Sequence, residues 1–461
     1  MLGLLISGLV VAWIAWAIAK KTYAPAVLLV GGMVLITIGG VMGITPILSV
    51  KKSTGLMAFD IFEAVRNMFS TRLAGLGLNI MMIAGYSRYM DHLHASTALY
   101  SVVAAPLRYM KSQTLIFTFA FLITQCLSIF VPSGAGMALL TMVTVYPILV
   151  RTGMSRLTAL ALVGVTRMFG WGPASPNLNY ACQILNIDAG TYFLKYQTPI
   201  VLPMIFVVLV AMLLVQKWWD KKEGPDLEGR AMLSAEDTTA ERPPLIYAIL
   251  PVLPLCFILA CSPLVTNYFH LNYKVNMDVG TAMFMCTFIA LGFEIVRYRS
   301  LLKTLPSLKK YFEAMGQMFT LVVALIVAGE VLAKGLVNTG ALKTMIDSAQ
   351  AAGLGYRSMT IASSFIVIVS AFLMGSGNAA FFSFGAMIPE FAKLLNVSGE
   401  VMMVILDLMS CYGRSISPVF GAIIAIAGMA GCSPFQVAKR TAIPVIVCAI
   451  LTPIWLFIYF G

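Results

Sequence analysis

Residues 413–421 read G-R-S-I-S-P-V-F-G, a knot of glycine, serine, proline and one arginine inside an apolar run from 398 to 430. Proline in a helix interior costs about 3 kcal/mol and glycine about 1 kcal/mol relative to alanine, so a continuous helix is not expected here. An earlier apolar run, 154–185, is interrupted in the same way by W-G-P-A-S-P-N-L-N at 171–179. Two further apolar stretches are broken midway, 113–150 by P-S-G-A-G at 132–136 and 358–393 by G-S-G-N at 375–378. The landmarks keep register. Pro389 follows Pro147 by 242 residues, Ser417 follows Ser175 by 242 and Pro418 follows Pro176 by 242; upstream, Ala328-Gly329 follows Ala84-Gly85 by 244. The chain is an internal repeat.

The 461 residues are 60% apolar and 11% charged, with a mean hydropathy of +0.90. A soluble domain carries roughly 25% charged residues. A chain this apolar lacks the polar surface to face water, so lipid is its solvent. A crossing needs about 20 apolar residues. Ten segments are read as crossings: 2–19, 24–43, 72–90, 154–185, 197–216, 243–262, 277–296, 314–333, 398–430 and 441–460. The broken stretches 113–150 and 358–393 are read as re-entrant hairpins. Met1–Ala19 has neither a basic start nor a small-residue cleavage site and is read as a retained span.

Five crossings and one hairpin fall in each half, and an odd number turns the second half upside down in the bilayer. The expected fold is an all-α polytopic membrane protein. It is an inverted-repeat secondary transporter with two re-entrant hairpins, two interrupted helices and about ten crossings. The first repeat covers 1–216, with scaffold spans over 1–90, a hairpin at 113–150, an interrupted helix at 154–185 and a span at 197–216. The second covers 243–461, with scaffold spans over 243–333, a hairpin at 358–393, an interrupted helix at 398–430 and a span at 441–460. The linker 217–242 holds seven of the nineteen acidic residues and reads as a solvated cytoplasmic connection.

The net charge of +12 does not point to nucleic acid, because the basic residues sit in pairs between apolar runs. With both termini on the periplasmic side, nineteen of them fall on cytoplasmic segments, ten outside and two within the membrane. That is the bias of the positive-inside rule. Eight cysteines form no CxxC pair and read as small core residues. His92, His94 and His270 make no recognisable metal set, and neither a metal nor a cofactor is implied. No HExxH or pair of mid-span aspartates is present, so an intramembrane enzyme is not expected.

Backbone without regular hydrogen bonds persists in a membrane only where it is buried in protein or lines a cavity. Four breaks paired by a repeat imply one shared cavity near the midplane. At each break a half-helix starts, with free N–H groups and a positive dipole end. Ser133, Gly134, Ser175, Asn177, Ser376, Gly377, Asn378, Ser415 and Ser417 stand at these knots, and their donors suit a carboxylate. A single knot of this kind is more often a kink or a packing feature; the matched set of four points to a substrate site.

Two arginines lie in spans. Insertion of an arginine at a span centre costs roughly 2.5–3.5 kcal/mol, and a guanidinium binds carboxylate in bidentate fashion. Arg414 is read as a substrate ligand. Arg167 is either a second ligand, the partner of an acidic residue or a snorkelling side chain. Two arginines plus helix ends would compensate a dianion, which favours a dicarboxylate. Asp407, seven residues before Arg414, is either its structural partner or a proton carrier. Glu330 is the second coupling candidate, and the coupling ion stays open between proton and sodium.

Several stretches carry a family likeness: G-S-G-N-A-A-F-F-S-F-G-A-M-I-P (375–389), the run from R-S-I-S-P to R-T-A-I-P (414–444), R-L-A-G-L-G-L-N-I-M-M-I-A-G-Y-S-R-Y-M (72–90) and V-A-G-E-V-L-A-K-G-L (327–336). In these the chain resembles the DcuC-type anaerobic C4-dicarboxylate carriers, within the wider ion-transporter superfamily. The resemblance implies transport of succinate, fumarate or malate across a bacterial inner membrane, by exchange or ion-coupled flux during anaerobic growth. It also implies an elevator mechanism and a homodimer, in which hairpins and interrupted spans move against a dimerising scaffold. It carries Ser376, Gly377, Asn378, Arg414, Ser415 and Ser417 over as the second-half site. The first half departs from the family pattern, with G-P-A-S-P-N (172–177) where relatives read close to A-P-T-S-G-D, and Arg167 has no counterpart. Neither hairpin carries the Ser-Asn-Thr motif of sodium-coupled dicarboxylate relatives. Another organic anion, such as a tricarboxylate or a monocarboxylate, is the alternative substrate, and an anion channel the alternative mode.

Overall fold

The computed structural model describes residues 2–20, 22–43, 46–48, 53–110, 112–223, 244–268, 277–341, 343, 344, 347, 355–395 and 397–461. Most of the linker and His270 lie outside the described residues. Among the described residues the secondary structure is helical throughout, with no strand.

In the first half, α1 (Leu2–Ala19) and α2 (Ala24–Val41) are followed by the long α3 (Met57–His92) and the short α4 (Ala95–Ala104). Then come α5 (Gln113–Leu127), α6 (Gly134–Arg151), α7 (Arg156–Gly164), α8 (Pro176–Leu185) and α9 (Ala189–Glu223). The second half supplies α10 (Leu245–Cys261), α11 (Val279–Tyr298), α12 (Leu301–Asn338) and α13 (Tyr356–Met374). It closes with α14 (Gly377–Gly385), α15 (Ile388–Leu395), α16 (Gly399–Ser415), α17 (Gly421–Met429) and α18 (Pro434–Phe460).

Among the described residues, eight helices are long and apolar enough to cross a membrane: α2, α3, α6, α9, α11, α12, α13 and α18. Six coincide with expected crossings, whereas α6 and α13 fall in the stretches read as hairpins. Length alone therefore does not separate an arm from a crossing. In the first stretch the ends do come together, since the Gln113 side chain donates to the Thr152 carbonyl at 2.7 Å.

Helices α3 and α12 run well beyond the expected 72–90 and 314–333. Their extra turns, 57–71 and 301–313, are amphipathic and carry charged residues, so a search for apolar runs passes over them. Each helix contains a π turn, Leu73–Gly77 and Phe319–Val323, whose starts are 246 residues apart (319 − 73). Each is followed by one left-handed residue, His94 and Gly340, again 246 apart (340 − 94). The two long helices touch at the π turns, where a Cβ on Gly77 would lie 3.0 Å from Val323 Cγ1. Nearby Arg72 grips Glu330 with Nε and Nη2, at 2.6 and 2.9 Å. Glycine also seats α2 on α12: a Cβ on Gly32 would come within 2.6 Å of the Leu332 nitrogen, and one on Gly335 within 2.6 Å of Leu35 Cβ. Small residues at such crossings let helix backbones approach closely in lipid.

An ion-pair network around one buried arginine closes one end of the bundle. Arg440 on α18 is 2% exposed and reaches Asp220 at 2.7 Å and Glu223 at 2.6 Å, both on α9. Asp220 in turn accepts from Ser155 and Thr158 at the start of α7. Burying a charge is costly unless it is paired, and here Arg440 binds three helices into one end.

Candidate anion site

Each break is shaped by its own local residues. At the first hairpin tip Ser133 Oγ accepts from the Gly136 N–H at 3.0 Å and so caps α6. At the second, Gly375 takes the left-handed turn (φ +64°) and Ser376 Oγ accepts from the Ala379 N–H at 3.4 Å. Gly375 is not replaceable there by space alone, because a Cβ would meet the Val419 carbonyl oxygen at 2.7 Å. Pro176 opens α8 directly after Ser175, where its missing N–H is not needed. Pro418 lies in the non-helical segment between α16 and α17.

Each interrupted helix is fastened to the hairpin of its own half. Arg167, 6% exposed, donates through Nη1 to the carbonyls of Ser128 and, at 3.1 Å, of Val131. Trp171 adds bonds from its indole N–H to Ser128 Oγ at 3.2 Å and the Gln125 carbonyl at 3.3 Å. In the second half Ser417 donates to the Phe372 carbonyl at 2.6 Å.

The two halves then meet. Arg414 Nη2 donates to the Arg167 carbonyl at 3.0 Å. A Cβ on Gly170 would lie 3.4 Å from Arg414 Nη2, and one on Gly377 3.1 Å from Arg414 Cδ. The Arg414 guanidinium stands 5.8 Å from the centre of the Phe420 ring, within cation–π range. Gly134, first residue of α6, faces the same ring, 3.7 Å from a Cβ built on it. All four breaks thus converge on Arg414 and Phe420. Beneath them Asp407, 1% exposed, accepts from Asn177 Nδ2 at 2.7 Å and Gln197 Nε2 at 3.2 Å. The Gly172 N–H donates to Gln197 Oε1 at 3.2 Å, which fixes the orientation of that amide.

This arrangement sorts the residues singled out in the sequence. Arg414 makes no ion pair with any acidic group among the described residues, and its buried Nε has no partner. The Asn378 amide and the Ser175 hydroxyl make no hydrogen bond among the described residues, so both keep donors for a ligand. Gly134 and Gly377 offer the free N–H groups of a first helical turn. Ser415 and Ser417 instead donate to the carbonyls of Cys411 and Phe372, and the Asn177 amide donates to Asp407. Of the two alternatives for Asp407, a direct ion pair with Arg414 is not formed; amides hold the carboxylate. Among the described residues Arg167 pairs with no acid; its partners are backbone carbonyls. Glu330 is bound to Arg72 and not to this cluster.

Phe420, Gly170, Trp171 and Gln197 also shape the site and are not among the residues expected from the sequence. Phe420 and Trp171 stand inside the quoted knots, where an aromatic among Gly, Ser and Pro was the available signal. Gln197 ends the π turn Tyr192–Gln197 of α9, and no local pattern marks it.

The family model described as "DcuC: C4-dicarboxylate anaerobic carrier" matches residues 2–461. The chain belongs to the DcuC family. The relative named "Anaerobic C4-dicarboxylate transporter DcuC" from Escherichia coli (strain K12) is 32% identical over 444 residues, which cover 96% of this chain and 94% of that protein. The "Probable anaerobic C4-dicarboxylate transporter DcuC" of Vibrio cholerae is 30% identical over 452 residues, covering 97% and 95%. Among solved structures, the Alcanivorax borkumensis YdaH transporter, whose crystal structure is described as revealing an unusual topology, matches with a TM-score of 0.63 at 14% identity. That match covers 95% of this chain and 99% of the other. At that identity the likeness is one of fold. As a DcuC family member with several apolar helices, the chain is a multi-pass membrane protein of a carrier family and not an enzyme.

Proposed function

We propose that the chain is a secondary carrier of C4-dicarboxylates such as succinate, fumarate and malate, working in a bacterial inner membrane with both termini periplasmic. The observation that carries this reading is Arg414, a guanidinium without an acidic partner at the meeting of four helix breaks. Arg167 adds a second buried cation, and Asn378 and Ser175 add free donors. A carboxylate would take the guanidinium in bidentate fashion, and the second carboxylate would meet the helix starts and amide. The names of the E. coli and V. cholerae relatives support the same substrate class.

Movement is read as elevator-like. The bonds of Arg167 and Ser417 to their hairpins, and of Arg440 to α9, support a single body made of α5–α9 and α13–α18. That body would slide against a dimerising scaffold of α1–α4 and α10–α12, taking the anion from one face to the other by exchange or ion-coupled flux. Asp407 bears on coupling. With its carboxylate ionised, the two arginines leave one net positive charge; a proton on Asp407 leaves two, which match a dianion. Proton coupling through Asp407 is the reading this favours over sodium.

The test is uptake of radiolabelled succinate by Arg414 variants in proteoliposomes. Arg414→Ala abolishes uptake while insertion and folding are retained, and Arg414→Lys recovers only a fraction of it, because an ammonium lacks the two-pronged geometry. Full uptake by Arg414→Ala would overturn the assignment. A monocarboxylate is the second reading, favoured by the single net charge that ionised Asp407 leaves. It predicts that excess monocarboxylate, and not fumarate, competes for the site.

A further inference from the structure

Asp91 lies outside the Arg414 cluster. It is the last residue but one of α3, and its Oδ1 accepts from Ser96 Oγ at 3.2 Å across the left-handed turn at His94. Its other oxygen faces the first hairpin, where Oδ2 lies 3.5 Å from the position a Cβ on Gly136 would occupy. Gly136 belongs to the first turn of α6, the turn capped by Ser133 and begun by Gly134 against Phe420. The charged or titratable neighbours of Asp91 are Arg88 and His94. A scaffold carboxylate therefore stands beside the helix start that forms one wall of the anion site. The carbonyls of Ser128 and Val131 before that tip hold Arg167 of the interrupted helix, whose buried Nε keeps no partner, so a positive charge stands close behind the helix start.

A negative charge near a helix start is favourable, and two negative charges near the same start repel. We infer that Asp91 sets a side-selective affinity: beside the empty site it stands in for the anion's charge, and it opposes dicarboxylate binding while the hairpin tip lies against it. The inference rests on the carrier reading above and on motion of the first hairpin relative to α3. When the tip moves off, the opposition ends, so the site holds its anion more weakly toward one face of the membrane than toward the other. The same interaction stabilises the empty carrier in this conformation, since affinity and conformational preference are linked.

The experiment measures KM for succinate from each face separately, in proteoliposomes whose orientation is known. Asp91→Asn keeps the acceptor for Ser96 and removes the charge. It lowers KM from one face by about two- to fivefold, the effect of one charge at a helix end, and changes KM at the other face by a smaller factor, through the shift in the empty-carrier population. Ser96→Ala, which removes the turn's hydrogen bond and leaves the charge, shifts neither. Should Asp91→Asn fail to insert, Asp91→Ser supplies the same neutralisation in a smaller side chain. Equal change on both faces, or none, overturns the inference. Absence of succinate transport by the unsubstituted protein would instead count against the carrier reading.

Discussion

Asn177 and Asp407, 230 residues apart, meet through a buried hydrogen bond of 2.7 Å. One residue stands in the first turn of α8, after the break at 165–175, and the other lies about two turns before the break at 416–420. Their bond ties the interrupted helices of the two halves together beneath Arg414. A buried acceptor deprived of its donor costs about 1–3 kcal/mol, so Asn177→Ala lowers the melting temperature of the purified protein by several degrees. Thermal unfolding followed by tryptophan fluorescence checks this. An unchanged melting temperature would show that the bond adds nothing to stability.

Gly375 and Gly43 separate conformation from crowding. Both adopt positive φ, +64° and +66°, so alanine strains either backbone similarly. Among the described residues, only at Gly375 would the added methyl strike a neighbour, the Val419 carbonyl at 2.7 Å; at Gly43 none of them lies within 4 Å. Gly375→Ala therefore displaces the second hairpin tip and reduces succinate uptake at least tenfold, a loss of about 1.4 kcal/mol or more in transition-state terms. Gly43→Ala retains most of the uptake. Similar losses in both variants would mean that tip packing is not what matters.

The bidentate pair of Arg72 and Glu330 predicts rescue by exchange. Both side chains are partly shielded, at 22% and 27% exposure, so breaking the pair costs more than a surface ion pair and less than a fully buried one, roughly 1–3 kcal/mol. Arg72→Ala and Glu330→Ala each lower stability by this amount. The double variant Arg72→Glu with Glu330→Arg recovers a measurable part of it in thermal unfolding. No recovery would show that geometry at the π turns, and not charge pairing, sets the requirement.

Much of this architecture was legible in the sequence because membrane insertion constrains it strongly. Apolar runs announced helices, and knots of Gly, Ser and Pro announced the breaks at 128–133, 165–175, 375–376 and 416–420. The constant offset of 242 residues showed that the breaks come in pairs. Pairings across the fold were not legible. Nothing near Arg72 in the sequence names Glu330, and nothing near Asp407 names Gln197 as a donor. Asp407 and Arg414, seven residues apart on one helix, invited an ion pair. Amides from the other half supply the carboxylate's partners instead, because α8 and α9 pack against α16 from that side. The amphipathic starts of α3 and α12 also escaped a search for apolar runs, since their charged residues interrupt the run.

Counterflow decides whether the chain carries a C4-dicarboxylate. Proteoliposomes loaded with unlabelled succinate receive a trace of radiolabelled succinate outside, over a range of sodium concentration and pH. Transient accumulation is expected that external fumarate or malate competes away, that does not need sodium, and that strengthens as pH falls and Asp407 takes up its proton. A folded, inserted protein that shows no accumulation, or accumulation that only a monocarboxylate suppresses, would contradict C4-dicarboxylate transport.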